Sequence, residues 1–190
     1  MLIPLQHLRD RLRHPRTRAD DLATLRRRLI AQPGPGAVTE HEIVEALEIR
    51  RAKQALAAAL GEVHACSGCA RKHPLPHGRW DGGHCCGGRT DGVFTDDEVA
   101  ALRLSGTTAE KLRAPAGDHA GCAFRGPTGC SLEVADRPAI CVRYLCRELE
   151  DELRERGDLK ALKRLASDLG TALERFSRLR AERLARPAEG

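Results

Sequence analysis

The sequence predicts a mainly α protein, a small helical domain whose irregular cysteine-rich loops are organised by metal. Three observations predict it. The hydrophobic fraction of 41% is carried by leucine and alanine, while Phe, Trp and Tyr make up 3% of the 190 residues, a supply that suits helix faces better than pleated strands. Leucines recur at three- and four-residue spacing near both ends of the chain, and no stretch alternates for long enough to build a large sheet. All eight cysteines fall between Cys66 and Cys146, in stretches too poor in large apolar side chains to form a core of their own.

Residues 1–36 read as a basic helical arm followed by a Pro/Gly linker. Leu22, Leu25 and Leu29 form a helix face, and "AQPGPG" at 31–36 ends it. A cysteine-cluster domain is expected over 37–156. Thr39 with Glu42 three residues on has the pattern of a capping box. It opens one long helix over 40–61, with Ile43, Leu47, Leu56 and Leu60 as its apolar positions, and that helix delivers the chain to Cys66.

Residues 62–92 are a different material, dominated by Gly, Pro, Cys and His, and need a source of order other than apolar packing. Thr95 and Glu98 repeat the capping pattern at the start of a short helix that Gly106 ends. Cys122 and Cys130 flank Gly-Pro-Thr-Gly, a turn suited to a small hairpin. Pro138 precedes a helix around 139–156, broken by Gly157. Residues 157–190 hold a last long helix with Leu159, Leu162, Leu165, Leu169, Leu173, Phe176, Leu179 and Leu184. Its leucine face suits packing on the core or on a protein partner, a second copy of this chain included.

The net charge of +5 assumes neutral cysteines, and metal-bound thiolates would shrink it. Arg9, Arg11, Arg13, Arg16, Arg18, Arg26, Arg27 and Arg28 form a cluster able to contact nucleic-acid phosphates. A solvated helix face is the simpler reading, and the scarcity of aromatics argues against stacking on single strands. The opening residues lack the pattern of a secretory signal, since His7, Arg9 and Asp10 break the apolar stretch. No run approaches the roughly 18 apolar residues of a membrane span. A cytoplasmic, reducing location is expected, where structural disulfides rarely persist and clustered cysteines point to metal. No Rossmann fingerprint, P-loop or HExxH motif is present, and no catalytic residue is assigned.

Cys66 and Cys69 have the shortest common spacing for two thiolates on one ion, with small Ser67 and Gly68 between them. A redox dithiol shares this spacing, but Ala70, Arg71, Lys72, His73 and Pro74 make a poor helix start behind it. Cys85 and Cys86 are adjacent, so their side chains diverge and serve two ions or two atoms of one cluster. Gly82, Gly83, Gly87 and Gly88 permit the backbone angles this needs. Cys141 and Cys146 would lie about 140° apart on one regular helix. Cys141 is therefore expected at or before the helix start and Cys146 in its early turns; Arg143 and Arg147 could offset anionic sulfur, with ordinary solvent exposure the simpler reading of both.

Taken in order, "CSGC", "HCCGG", "GVFTDDEVAAL" and "GCAFRGPTGCSLEVADRPAICVRYLC" resemble the bacterial YkgJ-like cysteine-cluster family, described as zinc- or iron-chelating domains. The resemblance covers roughly residues 64–148. It implies metal ligation by Cys66, Cys69, Cys85, Cys86, Cys122, Cys130, Cys141 and Cys146. Thr95, Asp96, Asp97 and Glu98 match the family's helix start, and Arg137 with Pro138 its RP-x-x-C motif. Two features depart from the pattern. Residues 70–84 separate the first cysteines from the double one and contain His73, His77 and His84, which could replace or add ligands although a loop position is the simpler reading of each, with Trp80 to pack the insertion down. Arg143 stands one place later than the family's arginine, behind Val142.

All-thiolate donors suit zinc or an iron–sulfur cluster and argue against calcium or magnesium. The ferredoxin spacing and a clean pair of zinc-ribbon knuckles are both missing, so the cofactor is expected to be an iron–sulfur cluster or Zn, with a slight lean to the former. The functional expectation is a metal-binding protein with a redox or structural role. Its alternative is a zinc-stapled interaction or nucleic-acid-binding module without catalysis.

Overall fold

The computed structural model describes residues 18–65, 90–115, 122–126 and 129–186. The described residues are mainly helical, as the composition predicts, with one two-stranded hairpin. Helix α1 (Arg18–Ala31) carries Asp20 and Asp21 in its first turn and Arg28 in its last, the arrangement that a helix dipole favours. The Pro/Gly linker behind it contains a 3-10 turn at Pro35–Ala37.

Helix α2 (Glu40–Leu60) opens on the expected capping box: Glu42 N–H donates to Thr39 Oγ1 at 3.2 Å, and Thr39 N–H to Glu42 Oε2 at 3.2 Å. Gly61, at φ 61°, ends it. Its buried face runs through Glu42, Ala46, Ile49, Lys53 and Leu56, a spacing of four and three residues. Leu47, expected on that face, is exposed. Two charged residues take places on the buried face, so leucines alone did not mark it.

A short turn of helix, α3 (Thr90–Val93), leads into α4 (Asp96–Leu104). Thr95 Oγ1 accepts the N–H of Glu98, and Gly106, at φ 93°, carries the chain away. Helix α4 lies at the centre, with Val99, Ala100, Ala101, Leu102 and Leu104 all buried. Val99 and Leu102 join a cluster with Leu25, Leu29, Phe94, Leu112, Phe124 and Leu132. Ala100, Ala101 and Leu104 join a second with Ile49, Leu56, Leu149, Leu153, Leu162, Leu169 and Phe176.

The hairpin forms where expected. Strand β1 (Arg125–Gly126) pairs antiparallel with β2 (Gly129–Cys130), Arg125 opposite Cys130. After a 3-10 turn at Val134–Asp136 come α5 (Ala139–Arg143), α6 (Arg147–Glu155) and α7 (Leu159–Ala185). The single helix expected over 139–156 is thus two. Tyr144 at ψ 114° and Cys146 at ψ 167° are extended, and helical bonding resumes when Glu150 N–H donates to the Cys146 carbonyl at 2.8 Å. The break lets α5 pack against both α2 and α7 while α6 turns Leu149 and Leu153 into the core. Gly157, at φ 81°, then reverses the chain into α7.

Helix α7 lies antiparallel on α2, fastened by Arg175 to Glu45 and by Arg183 to Glu42, and is tied to α4 by Arg180 and Asp97 at 2.7 Å. No helix among the described residues is long and apolar enough to cross a membrane.

Candidate metal centre and the charges beneath it

Cys66, Cys69, Cys85 and Cys86, with His73, His77, His84 and Trp80 between them, lie outside the described residues. Cys122, Cys130, Cys141 and Cys146 are described, and each is half-buried. Cys122 precedes the hairpin and Cys130 lies in β2, both packed against the cluster of Phe94 and Phe124. Those two rings are 5.5 Å apart and tilted by 55°. Cys146 packs against the other cluster. Among the described residues, no three His, Cys, Asp or Glu side chains gather as a metal site.

The placing of Cys141 and Cys146 corrects one expectation. Cys141 lies inside α5 rather than at or before its start, and Cys146 is the N-cap residue of α6 rather than part of the same helix. The extended residues between the helices supply the change of direction that one continuous helix would deny.

The described residues that flank 66–89 are bonded to the elements that carry Cys146 and Cys122. Glu152 in α6 accepts the N–H groups of His64 and Ala65, each at 2.9 Å. These two backbone donors hold the Glu152 carboxyl below its ordinary pKa. Arg156 donates to the carbonyls of Leu60 and Glu62 at 3.1 Å. The chain therefore leaves for Cys66 from the side of the helix that Cys146 caps, Glu152 standing about 9 Å along its axis from that cap. At the other end Thr90, buried, accepts the N–H of Ala123 at 3.1 Å, next to Cys122.

A set of buried charges lies under α5. Lys53 of α2 and Glu98 of α4 have side chains 1% and 3% exposed, with Nζ 3.9 Å from Oε2. Glu98 Oε1 accepts the N–H of Ala139 at 2.7 Å, at the start of α5. Oε2 has no hydrogen-bond partner among the described residues. Burial pushes the Glu98 carboxyl up against the pull of Lys53, and burial pushes the Lys53 ammonium down against Glu98, Asp136 and Cys141. Asp136 accepts from Thr107 Oγ1 at 2.7 Å and faces Arg50 at 3.6 Å. The Arg143 guanidinium lies over Gly170 of α7, so close that a Cβ there would stand 3.0 Å from Nη1.

Sequence reasoning missed Lys53, Asp136 and Arg50. A signal for Lys53 was present: it falls four residues after Ile49 and three before Leu56, in phase with the buried stripe. Glu98 was read as a local cap. Its backbone N–H does serve Thr95, while its carboxylate crosses to another helix.

Arg9, Arg11, Arg13 and Arg16 of the basic cluster lie outside the described residues, and the part in α1 is partly occupied within the fold. Arg26 donates to the carbonyls of Ala109 and Leu112, and Arg28 to the Phe94 carbonyl and to Asp96, both at 2.8 Å. Comparisons with family models, with curated proteins and with solved structures find no match for this chain.

Proposed function

We propose that this chain is a metal-binding protein of the kind its resemblance to the YkgJ-like family implies. Thiolates of Cys66, Cys69, Cys85 and Cys86 join those of Cys122, Cys130, Cys141 and Cys146 around an iron–sulfur cluster or zinc. The observation that carries this reading is the fastening of the described residues on either side of 66–89. One side is bonded to Glu152 in the helix that Cys146 caps, and the other, through Thr90, to Ala123 beside Cys122. Cys122, Cys130 and Cys146 are half-buried at the edges of the two apolar clusters, and Cys141 is half-buried in α5.

The donor set fits the group: soft thiolates select zinc or iron–sulfur centres. A bound centre would supply a fixed cross-link, and an iron–sulfur cluster would add a one-electron couple. This chain's own residues do the rest. Glu152 and Arg156 hold the approach to Cys66, Thr90 holds the return, and the break at Tyr144–Cys146 turns Cys141 and Cys146 along different axes. The free energy of metal binding then becomes folding free energy for loops that carry little apolar surface.

The test is metal content, acid-labile sulfide and visible absorption of the full chain purified without oxygen. Iron with sulfide and a brown colour, or near-stoichiometric zinc in a colourless sample, supports the proposal. A folded chain containing neither metal ends it.

A further inference from the structure

Helix α2 reverses the usual pattern of a surface helix, which turns its apolar residues inward and its charged ones to water. Its buried face holds Glu42 and Lys53, while Val44 and Leu47 are 52% and 37% exposed. Ala55 and Ala58 are exposed as well. At about 100° per residue, Val44, Leu47, Arg51, Ala55 and Ala58 fall within roughly 80° of one another, opposite Ile49 and Lys53. The leucine face of α7, by contrast, is spent inside the fold, with Leu162, Leu169 and Phe176 buried and the helix lying on α2.

The outer face of α2 is graded along its length. The two large side chains come first, Glu48 and Arg51 follow, and the alanines come last. Glu48 and Arg51 pair at 3.2 Å with side chains 47% and 70% exposed, so both charges stand at the surface. A face ordered in this way is complementary to its own inverse. A two-fold axis crossing α2 between Glu48 and Arg51 sets Glu48 opposite Arg51 of a second copy, and Arg51 opposite its Glu48. The same operation sets Val44 opposite Ala55 and lays Leu47 between Arg51 and Ala55, so that large side chains meet small ones. A parallel pairing would bring Glu48 to Glu48, Arg51 to Arg51 and bulk to bulk. An isologous contact uses one patch twice, and this patch matches itself in both size and charge.

We propose that the outer face of α2 is a homodimer interface, through which two copies of this chain pack their α2 helices antiparallel. From Val44 to Ala58 the contact runs about 21 Å, short for a permanent interface, so the dimer belongs to the weak, concentration-dependent class. The proposal does not depend on the metal reading, since all its residues lie in one described helix.

Sedimentation equilibrium of the full chain over a concentration series at low ionic strength tests it. The mass is expected to rise from that of one chain toward that of two. Arg51→Glu and Glu48→Arg each bring like charges together on both sides of the axis, and each should weaken association by about tenfold or more. Both positions are exposed, so neither change should disturb folding. Mixing the two variants in equal amounts unites an acidic helix centre with a basic one and should restore association, as should placing both substitutions in one chain. A chain that is monomeric throughout the series overturns the proposal. Association that neither reversal weakens also overturns it, because the contact then lies on another face. Losses that mixing leaves unrepaired overturn it too, because the two helices then do not face each other.

Discussion

Glu98 of α4 accepts the backbone N–H of Ala139 at 2.7 Å across 41 residues of sequence, and its other oxygen faces Lys53 at 3.9 Å. One carboxylate thereby joins α2, α4 and α5. Replacing it with alanine removes the partner of a buried ammonium and the acceptor of a buried N–H at once. Losing one member of a buried pair costs about 3–5 kcal/mol, so Glu98→Ala should lower the urea midpoint sharply with little change in slope. A loss under about 1 kcal/mol, typical of exposed pairs, would mean that water reaches Lys53.

Arg183 grips Glu42 through Nε, at 3.0 and 2.8 Å from the two carboxylate oxygens. Burial alone would raise the pKa of Glu42, but Arg183 and the N–H and hydroxyl of Thr39 outweigh it and hold the group below its ordinary value. A depressed carboxylate binds fewer protons folded than unfolded, so its contribution is present above the unfolded value and is lost as pH falls through the folded one. Glu42→Gln should therefore be about 1.5–3 kcal/mol less stable than the unaltered chain at pH 7, the range for a hydrogen bond to a charged group. The two should converge as the medium is acidified below the ordinary carboxylate range. Denaturation midpoints taken as a pH series check this, and a gap that persists in acid would refute it.

These two glutamates show what local sequence conveys and what it does not. Thr39 and Glu42 lie three residues apart, and their capping box needs nothing beyond that distance, so it is readable from the sequence. Thr95 and Glu98 have the same spacing, but a buried N–H at Ala139 competes for the second carboxylate, and only the packing of α4 against α5 decides the contest. Leucine spacing located α7 because Leu162, Leu169 and Phe176 of the expected face are buried, although Leu184 is exposed, whereas α2 hides Glu42 and Lys53 in its buried stripe and so misdirected the reading to Leu47. The break at Tyr144–Cys146 has no Gly or Pro to announce it. Cys122 and Cys130 were found with their hairpin because its turn sequence is local.

Glu152 fixes the point from which the chain departs for Cys66. Glu152→Ala leaves the N–H groups of His64 and Ala65 without their acceptor. Amide exchange at those two positions should speed up, while Leu153, buried one residue along in α6, keeps its protection. Under the metal reading the same substitution should also weaken zinc or iron retention by about tenfold, as loss of a supporting group behind the ligands does. Faster exchange with undiminished metal would show that the departure point is not what aligns Cys66.

Cys69 and Cys86 test the centre from the sequence side, and Cys146 from the structural side. If thiolates join the 66–89 stretch to the core, Cys69→Ala or Cys86→Ala should lose metal and part of the helical signal together, because ligand loss removes folding free energy. Cys146→Ala makes a sharper case. It also deletes the residue at the α6 N-cap, but Cys146 makes no side-chain cap bond to that helix, so capping predicts little loss. Metal ligation predicts a loss of metal comparable to that in Cys69→Ala. Metal content in all three variants unchanged from that of the unaltered chain, measured after anaerobic purification, would leave the clustered cysteines without the common centre proposed for them.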